Sequence, residues 1–112
     1  MNRGDIVLAE VHFTNLGATK VRPAVVISSD AVNKGEDRVL VPISSRMLLS
    51  WPWHVVASRA DAGFRITGLH RESVFLCAKL MTLHRSLIHR KLGTAAPYMR
   101  QIEAGVRAAL AL

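Results

Sequence analysis

Short, valine-rich apolar runs divided by turn residues are the feature that most restricts the fold of this chain. Five such runs, at 5–11, 23–28, 38–44, 53–58 and 73–80, have the length and residue types of β-strands. Polar segments with glycine join them, and the strands do not alternate with helices, which argues against a doubly wound parallel sheet. The pattern predicts a mainly β fold, either a small barrel or a coiled antiparallel sheet.

The spacing of apolar residues changes at the end of the chain. In residues 96–112 apolar side chains recur every four residues, at Tyr98, Ile102, Val106 and Leu110. This period predicts a C-terminal α-helix with one apolar stripe, and Pro97 suits its first position. We expect the helix to pack on an open end of the sheet, and pairing with a partner is the alternative.

Length and charge limit the class of protein. The chain has 112 residues, which predicts one domain over 1–112. Its 15 Lys and Arg residues outnumber 8 Asp and Glu residues and give a net charge of +7, which favours a polyanion or an acidic protein as partner, although solubility alone is an alternative role. We expect no membrane span, no signal peptide and no disulfide, since Cys77 is the one cysteine, and therefore a cytoplasmic protein.

The common signatures of nucleotide-binding, hydrolytic and metal sites are absent from the sequence, so we expect no cofactor and no metal. What remains is a set of polar residues near the ends of the predicted strands: Arg22, Ser44, Ser45, Arg46, His70 and Lys79. If the sheet coils into a barrel, these residues can converge on one rim, where cations and hydroxyls would suit a phosphodiester.

Each of these residues has a functional and a purely structural interpretation. Arg22 could stabilise the charge that grows on a phosphorane during RNA cleavage, or it could form a surface ion pair. Ser44 and Ser45 could orient a phosphate, or they could satisfy their own turn. Trp51 and Trp53 could stack on unpaired bases or pack under a loop. The basic residues between 84 and 91 could follow an RNA backbone or form a solvated face.

The order of the motifs resembles the MazF/PemK toxins of bacterial toxin–antitoxin systems. The motifs are RGDIVLAEV, KVRPAVVIS, VPISS and RESVFLCAKLMTLHRSLI, followed by the C-terminal helix. The resemblance implies an SH3-like barrel with a C-terminal helix, a homodimer, and a metal-independent, sequence-selective endoribonuclease. Its implied partners are single-stranded RNA, usually mRNA, and a cognate antitoxin.

The resemblance also assigns roles to residues of this chain. It places Arg22 and Ser44 at catalytic positions, with Thr19 and Lys20 in the adjoining RNA-binding loop. The remaining candidates for RNA binding are Ser45, Arg46, Trp53, His70 and Lys79.

Two other functions stay open at the level of the sequence. The chain has Ala78 and Met81 where many family members carry an acidic residue and a second arginine, and this departure allows a non-catalytic nucleic-acid-binding protein. A CcdB-like inhibitor of DNA gyrase is the other alternative, but the Ala-Leu-Ala-Leu end differs from the Trp-Gly-Ile-like tail of that branch. The general base is also open, with His12 and His70 as candidate imidazoles.

Overall fold

In the part of the chain that the structure describes, seven antiparallel strands and a C-terminal helix form the fold. The computed structural model describes residues 1–11, 20–47 and 53–112. The strands are β1 (Asp5–Val11), β2 (Lys20–Val26), β3 (Asp37–Ser44), β4 (His54–Ala57), β5 (Ser73–Leu76), β6 (Met81–His84) and β7 (Ile88–Thr94). A short helix α1 (Asp30–Asn33) precedes β3, and α2 (Met99–Ala109) follows β7. The mainly β class and the C-terminal helix are therefore confirmed.

The strands form one antiparallel sheet in the order β4-β5-β3-β2-β1-β7, and β6 pairs with β3 beside β5. Within the described residues no ladder joins β4 to β7, so backbone hydrogen bonds do not close the sheet into a barrel. The sheet nevertheless packs around the larger of two buried clusters, which includes side chains of five strands and of α2. These are Ile6, Val25, Val41, Ile43, Val55, Phe75 and Ile102.

The fifth predicted strand, 73–80, is wrong in its second half. Strand β5 ends at Leu76, and a turn separates it from β6, which begins at Met81. Both strands pair with β3: Ile43 lies opposite Phe75, and Leu40 lies opposite Met81. Ile43 and Leu40 are three residues apart in β3, whereas their partners Phe75 and Met81 are six residues apart. The additional residues between Phe75 and Met81 form the turn.

The other predicted elements are present, most of them with shifted ends. Strand β2 begins at Lys20, so Arg22 lies inside the strand, opposite Ala9, and not in front of it. Strands β6 and β7 were not predicted. Pro97 lies in a 3₁₀ turn (Ala96–Tyr98) directly before α2, and not at the first position of α2 itself.

Helix α2 packs on the sheet through Ile102, which is fully buried. Gly105 of this helix lies against Cys77, since a Cβ added at Gly105 would come within 2.9 Å of the Cys77 Sγ. Burial raises the pKa of the Cys77 thiol to about 11. In the described part of the chain, no helix has the length and apolar character needed to cross a membrane.

Candidate nucleic-acid interface

A pocket of about 300 Å³ lies where β1, β2 and β7 meet the segment before β5. Its apolar part is formed by Leu8, Pro23, Ile43, Leu69 and Leu92, together with Gly68. Its polar part is formed by Arg22, Ser45, His70, Arg71, Ser73 and Arg90. The pocket therefore combines an apolar floor with three guanidinium groups, one imidazole and two hydroxyls.

The strand register explains the floor. Leu8 of β1 pairs with Pro23 of β2 on one side and with Arg90 of β7 on the other. Side chains alternate along a strand, so directly opposed residues share a face of the sheet. Pairing therefore places the Arg90 guanidinium beside the apolar row that Leu8 and Pro23 form.

The same kind of argument relates Arg22 to Ser44. Strands β2 and β3 pair Ala24 with Pro42. Continued by two residues, this register places Arg22 across from Ser44 on the same face of the sheet. Ser44 is half-buried at the end of β3, and its Oγ accepts a hydrogen bond from the Arg46 N–H at 3.1 Å. Arg22 thus borders the pocket, while alternation places its side chain and that of Ser44 on the face of the sheet opposite to Leu8 and Pro23.

The Arg22 side chain has an unusual environment. Its Nε is buried and has no hydrogen-bond partner among the described residues. Arg38 also has a buried Nε without a hydrogen-bond partner among the described residues. Its Nη1, however, donates to the carbonyl oxygens of Gly35 and Asp37 at 2.8 and 3.0 Å. A buried donor without a partner costs about 1–3 kcal/mol. Arg22 therefore carries a buried donor for which the described residues supply no acceptor.

Several cations of β7 and of the N-terminus have a carboxylate partner, whereas the pocket arginines have none among the described residues. Lys91 lies 3.2 Å from Asp5, His89 lies 3.3 Å from Glu10, and Arg3 pairs with Glu103. In the described ranges, no carboxylate lies within ion-pair distance of Arg22, Arg71 or Arg90. Positive charge at the pocket is thus left uncompensated.

Hydrogen bonds to backbone atoms hold the wall segment, residues 66–73, which forms one wall of the pocket. The Arg59 guanidinium donates to the carbonyl oxygen of His70 at 2.5 Å, and the Ser73 hydroxyl donates to that of Arg71 at 2.8 Å. Gly68 has a φ of +74°, and a Cβ there would lie 2.2 Å from the Leu92 oxygen. Glycine is required at this point for both reasons, and it lets the wall segment approach β7 closely.

The structure brings together three of the residues predicted from the sequence: Arg22, Ser45 and His70 line one pocket. Ser44 lies beside this group by register, as described above. The other described candidates, namely Lys20, Arg46, Trp53 and Lys79, are not part of the pocket lining. Thr19, His12 and Trp51 lie outside the described residues.

Sequence reasoning missed two polar residues of the pocket, Arg71 and Ser73, and it named Arg90 only as one of the basic residues between 84 and 91. Arg90 belongs to the basic stretch between 84 and 91, in which the structure separates the roles. His84 caps a turn by accepting from the Ser86 N–H at 3.1 Å, and His89 and Lys91 face carboxylates. Arg90 is the member of the stretch that reaches the pocket, and the sheet register is what distinguishes it.

Among the residues that the structure describes, no group of three or more His, Cys, Asp or Glu side chains is arranged to hold a metal ion. The chemistry available at the pocket is therefore that of guanidinium, imidazole and hydroxyl groups. These groups bind and polarise an anion such as a phosphodiester.

Solved structures define the fold class of this protein. MazF (Form-I) from Deinococcus radiodurans superposes with a TM-score of 0.78 at 21% identity, over 100% of this chain and 97% of that chain. The Mycobacterium tuberculosis toxin MazF-mt6 gives a TM-score of 0.72 at 20% identity, covering 96% and 97%. An endoribonuclease from a mycobacterial species, in complex with its cognate antitoxin, gives 0.75 at 21%, covering 100% and 96%. The chain thus has the MazF fold.

The family follows from the sequence itself. The model of the PemK-like, MazF-like toxins of type II toxin–antitoxin systems matches residues 2–110. The chain therefore belongs to this toxin family, as the order of its motifs predicted. No curated protein sequence matches the chain.

Proposed function

We propose that this protein is the toxin of a type II toxin–antitoxin pair and acts in the cytoplasm as an endoribonuclease on single-stranded RNA, without a metal ion. The observation that carries the proposal is Arg22: a buried guanidinium donor without a hydrogen-bond partner among the described residues, bordering a cationic pocket and sharing a sheet face with Ser44. Membership of the MazF-like toxin family and the mycobacterial neighbour described as an endoribonuclease support it.

The reaction we assign to this site is an internal transesterification. The 2′-oxygen of a ribose attacks the adjacent phosphorus, the bond from phosphorus to the 5′-oxygen breaks, and a 2′,3′-cyclic phosphate and a 5′-hydroxyl result. The 2′-OH proton passes to a base, and the leaving oxygen receives a proton. Arg22 stabilises the negative charge that accumulates on the phosphorane oxygens, and Ser44 orients the phosphate through its hydroxyl.

His70 is the imidazole we assign to proton transfer. Imidazole is the side chain whose ordinary pKa lies closest to neutrality, which suits a group that both accepts and donates protons. Among the described histidines, His70 is the one that lines the pocket, and its backbone oxygen is fixed by Arg59.

The proposal includes two protein partners. The first is a cognate antitoxin, as in the mycobacterial complex and in the MazE–MazF complex of Deinococcus radiodurans. Uncompensated arginines at the pocket would attract an acidic, flexible antitoxin segment as they attract RNA, so the two should compete. The second partner is another copy of the chain. We expect added antitoxin to lower RNA binding in proportion to its occupancy, and simultaneous binding of both would contradict competition.

Single-turnover cleavage of a mixed-sequence RNA in the presence of EDTA tests the catalytic proposal. Arg22→Ala should lower the cleavage rate by roughly 10²–10³-fold, the effect of removing one preorganised donor. RNA affinity, measured with an uncleavable 2′-deoxy analogue, should fall much less. Arg22→Lys should restore the rate only in part, because an ammonium keeps the charge but loses the planar fork. Ser44→Ala should show a smaller loss in the same direction.

Arg100→Ala is the matched control, since Arg100 is exposed on α2 and does not belong to the pocket lining. Its cleavage rate should equal that of the parent protein, and thermal melting should show every variant folded. If Arg22→Ala cleaves at the parent rate, Arg22 is a binding or structural residue. If the parent protein cleaves no RNA, the non-catalytic alternative based on Ala78 and Met81 replaces the proposal.

A further inference from the structure

The pocket beside Arg22 is built for more than a phosphate. Five of its lining residues are apolar: Leu8, Pro23, Ile43, Leu69 and Leu92. A phosphate gains nothing from apolar surroundings, because anions are stabilised by water and by polar donors. A nucleobase has a large apolar face that gains from leaving water. The floor therefore favours a base, and its volume of about 300 Å³ is ample for one.

The polar rim restricts which base can enter. Apart from Ser45, Ser73 and His70, its side chains are the guanidinium groups of Arg22, Arg71 and Arg90, which only donate hydrogen bonds. In the part of the chain described by the structure, no Asp, Glu, Asn or Gln lines the pocket. The exocyclic amino groups of adenine and cytosine thus meet no carboxylate or side-chain amide among the described lining residues, whereas guanine presents two adjacent acceptors, O6 and N7, that a guanidinium fork binds bidentately.

We propose that this pocket binds a guanine base next to the scissile phosphate, with Arg71 and Arg90 as its specificity-determining residues. The inference rests on the proposed function for the position of the phosphate, at Arg22 and Ser44. A guanine pocket at this place would require the RNA sequence that is cleaved to contain a guanine at one defined position beside the scissile phosphate. Arg22 has the separate role of contacting the phosphate at the border of the pocket.

The two arginines are held from different parts of the fold. Arg90 is fixed by the pairing of β7 with β1, where it lies opposite Leu8. Arg71 lies in the wall segment, and its carbonyl oxygen accepts from the Ser73 hydroxyl, while Ser73 is almost fully buried. Neither guanidinium has a carboxylate partner among the described residues, so both are available to a ligand.

Binding of single-stranded 2′-O-methyl oligonucleotides tests this proposal without requiring cleavage. The oligonucleotides have an all-adenine sequence with one central base changed to guanine, 7-deazaguanine or uracil, and fluorescence anisotropy at one fixed salt concentration gives each Kd. Guanine should bind about tenfold or more tightly than adenine, as expected for one bidentate pair. 7-Deazaguanine lacks the N7 acceptor and should lose most of this advantage.

Substitutions separate base recognition from attraction to phosphate. Arg90→Lys and Arg71→Lys keep the positive charge and lose the fork, so affinity for the adenine oligonucleotide should stay near the parent value while the guanine preference falls below about threefold. Arg100→Lys is the matched control and should leave the preference unchanged.

The outcomes distinguish this inference from the proposed function. Equal affinity of the parent protein for all four oligonucleotides overturns the guanine proposal. An equal loss of affinity for all four oligonucleotides in the lysine variants also overturns it, because the arginines would then bind phosphate. RNA cleavage that continues in either case leaves the proposed function standing. Guanine-selective binding by a parent protein that cleaves no RNA would instead support the pocket and overturn the catalytic proposal.

Discussion

Asp61 and Tyr98 form a polar contact that joins the segment before the pocket wall to the start of α2. The Tyr98 hydroxyl donates to the Asp61 Oδ2 at 2.7 Å, and the Ser58 N–H donates to the same oxygen at 2.9 Å. The Ser58 N–H, and then the Tyr98 hydroxyl, lower the pKa of Asp61 below its ordinary value of 3.8. Burial, and then the contact with Asp61, raise the pKa of Tyr98.

This contact predicts a stability effect that depends on pH. Because the pKa of Asp61 is lower in the folded state, its carboxylate stabilises the fold above the unfolded pKa, and this contribution is lost as the pH falls through the folded pKa. Tyr98→Phe should lower the free energy of unfolding near neutral pH, and should lower it less at a strongly acidic pH below the folded pKa of Asp61, because a protonated carboxyl accepts more weakly. Urea denaturation at both pH values measures the difference.

The double variant Tyr98→Phe with Asp61→Asn provides the control, because it lacks both the hydroxyl and the charge. Its free energy of unfolding should not show the pH dependence assigned to the pair. A cost of Tyr98→Phe that is the same at both pH values would show that the hydroxyl contributes through packing alone.

At the level of elements, the pocket depends on how closely the wall segment approaches β7. A Cβ at Gly93 of β7 would lie 2.4 Å from backbone atoms of Ile66 and Thr67, and Gly68 contacts Leu92 in the same way from the other side. Buried Thr67 fixes the turn by donating from its hydroxyl to the Phe64 carbonyl oxygen at 2.5 Å. Gly93 of β7 lies against the wall segment, and Gly68 of the wall segment lies against β7. These two close contacts set the width of the pocket.

Gly68→Ala should therefore destabilise the protein by about 2–4 kcal/mol, since it combines a positive φ with a clash against backbone atoms. Gly35→Ala is the matched control, because an added Cβ there meets its nearest atom, the Val32 oxygen, at 3.4 Å and the backbone is exposed. Denaturant titration of both variants gives the comparison. Equal stability of Gly68→Ala and the parent would mean that the wall segment can move away from β7 at little cost.

For the whole molecule, the net charge of +7 and the pocket arginines, which have no carboxylate partner among the described residues, predict RNA binding that depends strongly on salt. On single strands, log K should fall with log salt by roughly 0.7 for each phosphate contacted. Arg22→Ala should reduce this slope by about one contact, whereas Arg90→Lys should leave it near the parent value. Titrations at several salt concentrations measure the slope, and a slope near zero would remove the polyanion as a partner.

Exposed apolar side chains support the prediction of a homodimer. Met47 and Trp53 are each 46% exposed, and Ile66 and Leu110 are more than half exposed. A surface with large apolar residues gains from burial against another protein. Sedimentation velocity at tens of micromolar, a range in which weak dimers assemble, should show a dimer. A monomer alone at that concentration would contradict the prediction, and RNA-cleavage kinetics on the same sample would show whether activity needs the pair.

The sequence by itself determined the mainly β class, the C-terminal helix, the basic charge and the toxin family, because each depends on composition, local period or motif order. It also singled out Arg22, since an arginine before a proline in an apolar strand is locally conspicuous. It could not show that the strand run 73–80 breaks after Leu76, because every residue of that run is compatible with a strand. The break arises from pairing with β3 and from the close packing of Cys77 against Gly105.

Only the tertiary structure decided which cations share a pocket. Arg22, Arg71 and Arg90 lie far apart in the chain, and in the sequence they look like the basic residues that the fold pairs with carboxylates, such as Lys91. Ladder register places Arg90 beside Leu8, and the left-handed Gly68 brings the wall segment with Arg71 against β7. Register and close backbone approach are relations between distant segments, so local sequence patterns do not specify them.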